Sequence, residues 1–148
     1  MPQAPTRITP AGPADYLEVL TRAVFQSGMS GRVIEAKWDG FRAAFEGFDP
    51  ERVAAMGPDD VDRLAADERI VRNRRKIEAT IENAATLAEL DARPGGFGAW
   101  LGSLGGFDEQ VAELRRRFRF VGDFGAYYFL HVVGQPTPSH EEFLASRK

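Results

Sequence analysis

The stretch RRRFRFVGDFGAYYFLHVV, residues 115–133, decides the fold. A basic helix end, Arg115 to Arg117 with Arg119, runs through the apolar pair Phe120 and Val121 into Gly122, and a strongly apolar helix follows from Asp123 to about Val133. Helix, tight turn and helix make a helix-hairpin-helix arrangement. It suits the DNA backbone, because glycine lets the main chain approach closely and amides at a helix start point outward toward a phosphate. Arginines nearby add salt-dependent attraction. The same pattern also reads as a plain change of direction in a helical chain, with Asp123 as an ordinary N-cap.

Upstream, the helical signal continues. Leu17, Leu20, Val24 and Phe25 recur at helical spacing until Gly28, and Val33, Ile34, Trp38, Phe41 and Phe45 repeat it after Gly31. In FDPERVAAMGPDDVDRLAAD, residues 48–67, Asp49 before Pro50 and Gly57 before Pro58 open two short helices, since proline suits the first helical turn. Ile77, Ile81, Ala84 and Leu87 mark a longer helix that Pro94, Gly95 and Gly96 must end. The glycine-rich GGFGAWLGSLGG, residues 95–106, promises one buried turn at most. A helix from Asp108 to Phe118 leads into the hairpin, and a short one from Glu141 closes the chain. No β-branched alternation and no repeat is present, so the fold class is all-α, with about seven to nine short helices. Residues 1–13, with their prolines, read as an extended arm before a single helical domain over 14–148.

Composition narrows the chemistry. With 148 residues, 43% of them hydrophobic and 28% charged, one soluble core is expected. The absence of cysteine excludes disulfides and thiolate zinc sites and fits the cytoplasm. No run of about 18 apolar residues suggests a membrane span. A net charge of -3 argues against bulk attraction to nucleic acid, so any DNA role falls to local basic clusters. One is the hairpin. The other is ERIVRNRRKI, residues 68–77, which places Arg69, Arg72, Arg74, Arg75 and Lys76 at a helix start, against the helix dipole. That cluster reads either as a site facing an anion or as a solvated helix start neutralised by Asp67 and Glu68. His131 reads as a packed residue, and PSHEEF, residues 138–143, reads as a helix start with Ser139 as N-cap and Glu142 as its capping-box partner. No Walker loop, dinucleotide fingerprint or EF-hand loop occurs.

Taken together, Gln26, Gly28, Met29 and Ser30, then Phe41, Arg42, Phe45, Phe48 and Asp49, then Val53, Ala54 and Met56, then Ile70, Val71, Arg72, Arg74, Lys76, Ile77 and Asn83 follow one order and spacing. With Phe118 to Gly122 and the helix bearing Tyr127 and Phe129, this block resembles the DNA-3-methyladenine glycosylase I family. The resemblance implies a two-lobed, all-α helix-hairpin-helix glycosylase that flips a damaged base into a crevice and hydrolyses its bond to the sugar. It implies double-stranded DNA as partner, a monomer, no membrane association and no cofactor. Gln26, Ser30 and Trp38 are then expected near the base. Arg72, Arg74, Arg75, Arg119, Gly122 and Asp123 are expected on the backbone.

Departures accompany the resemblance. Where the family has a glutamate contacting the alkylated base, this chain has Ala23, and where it has a pocket tryptophan, this chain has Gly31. The family's amino-terminal zinc ligands and stacking tyrosine have no counterpart. His140 matches one carboxy-terminal ligand, so no metal is expected. In the wider superfamily an aspartate about twenty residues past the hairpin glycine assists the reaction, which makes Glu141 and Glu142 the candidate catalytic carboxylates. None of Lys37, Lys76 and Lys148 falls in or just after the hairpin, so a monofunctional hydrolase is expected rather than a lyase. The alternative is a protein of the same fold that recognises lesions without cutting.

Overall fold

A computed structural model of the chain describes residues 6–146. Among them are nine α-helices, one short 3-10 helix and no strand. Helices α1 (Pro13–Gln26), α3 (Pro50–Ala54) and α4 (Pro58–Ala65) each begin on a proline, whose fixed φ fits the first turn. Helices α2 (Gly31–Ala44) and α5 (Arg74–Asp91) begin instead on side-chain caps. Ser30 Oγ accepts the Arg32 amide at 3.2 Å, and Asn73 Oδ1 accepts the Lys76 amide at 3.1 Å.

The glycine-rich stretch is more regular than its composition suggests, for it forms helix α6 (Gly96–Gly102). Gly95 turns the chain with φ 85, and Asp91 Oδ1 accepts the Phe97 amide at 3.0 Å, so Phe97, Trp100 and Leu101 enter the core together. Helices α7 (Phe107–Arg117) and α8 (Asp123–Val132) form the hairpin, and α9 (His140–Ser146) follows.

Helix α5 lies at the centre, packed against α1, α3, α4 and α6, while α1 also meets α2 and α8. The core is heavily aromatic. Trp38 stacks on Phe41 and Phe48 at centroid distances of 4.9 and 5.5 Å, and Phe25 meets Phe41 edge-on at 4.7 Å. Burial of each such ring is worth about 1.5–3 kcal/mol. Val33, which the spacing placed in the apolar face of α2, is exposed, because Ile34, Trp38 and Phe41 set the packed face. Gly40 on α2 lies so close to the Arg69 carbonyl that any side chain there would overlap it.

Of the expected arm, residues 1–5 lie outside the described residues. The segment from Thr6 is tied to the end of α8: the Ile8 amide donates to Val132 O at 2.7 Å and Arg7 Nη1 to Gln135 O at 3.0 Å.

Candidate base-binding cleft and DNA interface

Two cavities meet at Gln26 and Tyr128. The smaller, about 340 Å³, opens between the end of α1 and the hairpin. Ala23, Gln26 and Ser27 form one wall, and Gly122, Phe124, Gly125 and Tyr128 form the other. Its volume suits one nucleobase, at the lower end of the range for small-ligand sites. The larger, about 680 Å³, runs between α1, α2 and the segment from Thr6.

The larger cavity is lined by charges that satisfy one another. Arg22 pairs with Glu35 at 2.6 Å and Arg42 with Glu18 at 2.7 Å. Glu18 Oε2 also accepts the Trp38 indole N–H at 2.7 Å, and the Arg22 guanidinium sits over the Trp38 ring at 4.4 Å. Tyr128 stands at the junction, beside Arg22 and Gln26. Burial, the dominant influence, holds the Tyr128 phenol above the ordinary tyrosine range, so it stays protonated.

The hairpin turn is built differently from the sequence reading. Its left-handed residue is Phe120, φ 58, whereas Gly122 is extended, φ -97 and ψ -166. Asn83 on α5 imposes this shape. Its side chain accepts the Arg119 amide at 2.8 Å and donates to the Arg119 carbonyl at 3.1 Å, a reciprocal pair that fixes the backbone just before the turn. What glycine contributes at 122 is openness, since a side chain there would meet nothing within 4 Å. No side chain caps α8 at Gly122, unlike Ser30 and Asn73, and the start of α8 lies at the cleft mouth.

The candidate residues distribute as follows. Gln26 lines both cavities. Ser30 is exposed and occupied as the α2 cap, and Trp38 is a core residue, 2% exposed, whose indole N–H is already bound to Glu18. Arg75 and Arg119 come together beside Phe120, with Arg75 over that ring at 5.8 Å and Arg119 paired with Glu82 at 3.1 Å. Arg74 turns away toward α4 and pairs with Asp62 at 2.8 Å, while Arg72 is exposed. Asp123 lies at the cleft mouth and pairs with Arg115 at 2.9 Å. Glu141 and Glu142 sit on exposed α9 and line neither cavity. Ser139 caps the helix, its Oγ accepting the Glu142 amide at 3.1 Å, but the expected capping box is only half formed, because Glu142 Oε1 accepts from the Ser139 hydroxyl at 3.0 Å and not from its amide. Among the described residues no group of three or more His, Cys, Asp or Glu is placed to hold a metal ion, and His140 has no cysteine to complete a zinc set.

Sequence reasoning missed three features. Tyr128 and Phe124 were hidden inside a run of aromatics, and Lys76 belonged to a cluster read either as facing an anion or as a solvated helix start. Lys76 is in fact buried and donates to the carbonyls of Phe25 and Ser27 at 3.3 and 2.6 Å. It thus binds the carboxy-terminal end of α1, and burial pushes its ammonium below the ordinary lysine range. The anion opposite this part of the basic cluster is the negative end of a neighbouring helix.

The fold is shared with a solved 3-methyladenine DNA glycosylase I, which superimposes with a TM-score of 0.76 over 86% of this chain and 81% of that one, at 27% identity. Fold and cleft therefore define a helix-hairpin-helix glycosylase architecture. DNA-3-methyladenine glycosylase 1 of Escherichia coli is 31% identical, the match covering 74% of this chain and 70% of that protein. The corresponding enzyme of Haemophilus influenzae is 25% identical over the same shares. A family description, methyladenine glycosylase, matches residues 10–114. The chain belongs to the methyladenine glycosylase family.

Proposed function

We propose that the protein is a monofunctional DNA N-glycosylase that hydrolyses the bond between deoxyribose and an alkylated base of the 3-methyladenine type in double-stranded DNA. The observation that carries this reading is the small cleft itself, set between Gln26 on one wall and Tyr128 on the other, with the uncapped start of α8 at its mouth. Arg75 and Arg119 flank the turn and supply attraction for the backbone.

The cleft offers no free carboxylic acid to protonate a leaving group. A neutral base would need one, but an N-alkylated purine already carries a positive charge and leaves as a neutral molecule when the C1′–N bond breaks. Water then adds to C1′, and the proton it releases passes to solvent. The protein has to extrude the nucleotide, hold the base by neutral hydrogen bonds from Gln26 and Tyr128, and admit water. No step is assigned to Glu141 or Glu142. Lys37 donates to the Glu68 carbonyl at 3.0 Å and Lys76 is committed to α1, so neither amine serves as a Schiff-base nucleophile in the cleft.

A second reading, lesion recognition without cleavage, is favoured by one observation: Asp123, the carboxylate at the cleft mouth, is neutralised by Arg115. One assay separates the two. Purified protein incubated with duplex DNA treated with a methylating agent is expected to release free methylated purine, detected chromatographically. Binding to that duplex with no release above background establishes the second reading instead.

A further inference from the structure

We propose that Phe124 is the stacking surface for the extruded base, so that recognition of its positive charge falls to an aromatic face on the hairpin side of the cleft. This inference rests on the glycosylase reading and deepens it. Phe124 is 58% exposed, more than any other large apolar side chain among the described residues, although it sits in the first turn of a helix whose other residues are buried or half-buried. An apolar ring left in water needs a reason, and this one lines the cleft. It is also braced. Phe143 meets it edge-to-face at 5.2 Å, is itself fully buried, and stacks on Tyr127 at 4.3 Å. A ring held in this way loses little freedom when a ligand stacks on it.

The facing wall supplies nothing comparable. Ala23 contributes a methyl group and Gly125 no side chain, and the walls come close there, since a carbon added at Gly125 would lie 3.8 Å from the Ala23 methyl, which leaves the exposed ring of Phe124 as the open side of the cleft. Gly31 is exposed at the start of α2 and offers no ring. Asp123 is the one carboxylate among the described residues lining this cleft, and Arg115 already holds it. For a cationic purine the remaining attraction is the negative face of a π system, which works best where water is excluded. Gln26 and Tyr128 then orient the base by its edge while the ring takes its face.

The test is single-turnover release of methylated purine from alkylated duplex by Phe124→Leu and Phe124→Tyr, alongside affinity for undamaged duplex. Phe124→Leu keeps an apolar side chain of similar size but no π face, and release is expected to slow about tenfold. Phe124→Tyr is expected to stay within about twofold of the parent, and undamaged-duplex affinity to change by less than about twofold in both. Two outcomes overturn the proposal while leaving the enzyme reading intact. One is release by Phe124→Leu at the parent rate. The other is a loss that follows undamaged-duplex affinity, which marks the ring as a wedge between base pairs. If the parent protein releases nothing, the enzyme reading fails and this inference fails with it.

Discussion

The two walls of the cleft differ in how they meet a base. The α1 wall presents Ala23, Gln26 and Ser27, small or neutral, while the charges of α1 and α2 lie one cavity away, locked as Arg22 with Glu35 and Arg42 with Glu18. The α8 wall presents aromatic rings, Phe124 and Tyr128, on a helix whose start has no side-chain cap. The contrast teaches that a glycosylase-type cleft can lose a carboxylate and an aromatic from one side and still offer shape, hydrogen bonds and a π surface from the other.

The most severe way to break this contrast is to erase the space between the walls. Gly125→Leu adds a side chain whose first carbon would already touch Ala23 at 3.8 Å, and base release is expected to fall by about a hundredfold or more with little change in thermal unfolding. Single-turnover kinetics beside a melting curve tests this.

Tyr128→Phe isolates the junction. Removing the hydroxyl takes a hydrogen-bonding group out of the cleft lining, and release is expected to drop about tenfold. The pH profile sharpens the point. Because the folded-state phenol titrates above its ordinary value, an unfolded chain ionises first, so the stability it contributes is complete below the ordinary tyrosine range and lost as pH rises through the raised value. Parent activity should accordingly show no alkaline loss from this group until pH exceeds the ordinary tyrosine range.

Arg75→Ala and Arg119→Ala act on the approach to DNA and leave both walls intact. Each is expected to weaken duplex binding several-fold and to reduce the slope of log affinity against log salt by about one, measured by a salt titration. The smallest effect belongs to α9. Glu141→Gln should leave release within about twofold of the parent, since that carboxylate lines neither cavity, and Glu142→Ala should change stability little, since the Ser139 cap on its amide survives, and should not slow release. A large loss of release in either would return a catalytic carboxylate to the α9 side and undo the comparison.

Much of the fold was legible because its punctuation is local. Pro50, Pro58 and the glycines after Pro94 mark helix ends by their own backbone chemistry, and the structure places α3, α4 and the end of α5 accordingly. The cleft was harder. Helix α8 is apolar on every side, so its periodicity carries no phase, and nothing in the sequence separates Phe124 and Tyr128 from the buried Tyr127 and Phe129. Trp38 misled for the opposite reason. A tryptophan in the α2 region looks like a pocket wall until packing shows it sandwiched by Phe41 and Phe48. Lys76 was ambiguous because a partner 49 residues away, the Ser27 carbonyl, leaves no trace in local spacing. The left-handed turn at Phe120 was hidden too, since Asn83, which holds its neighbour, lies on another helix.

Those last two contacts share a helix. Lys76 grips the end of α1, and Asn83, two turns further along α5, grips the backbone entering the hairpin. At about 1.5 Å per residue the two anchor points stand about 10 Å apart on one rod. The helix works as a fixed gauge: the jaws on either side of the base are both referenced to it, and neither can open without breaking a buried bond to α5. On the proposed reading the gap is set before DNA arrives, and release of bases bulkier than a methylated purine is expected to be slower.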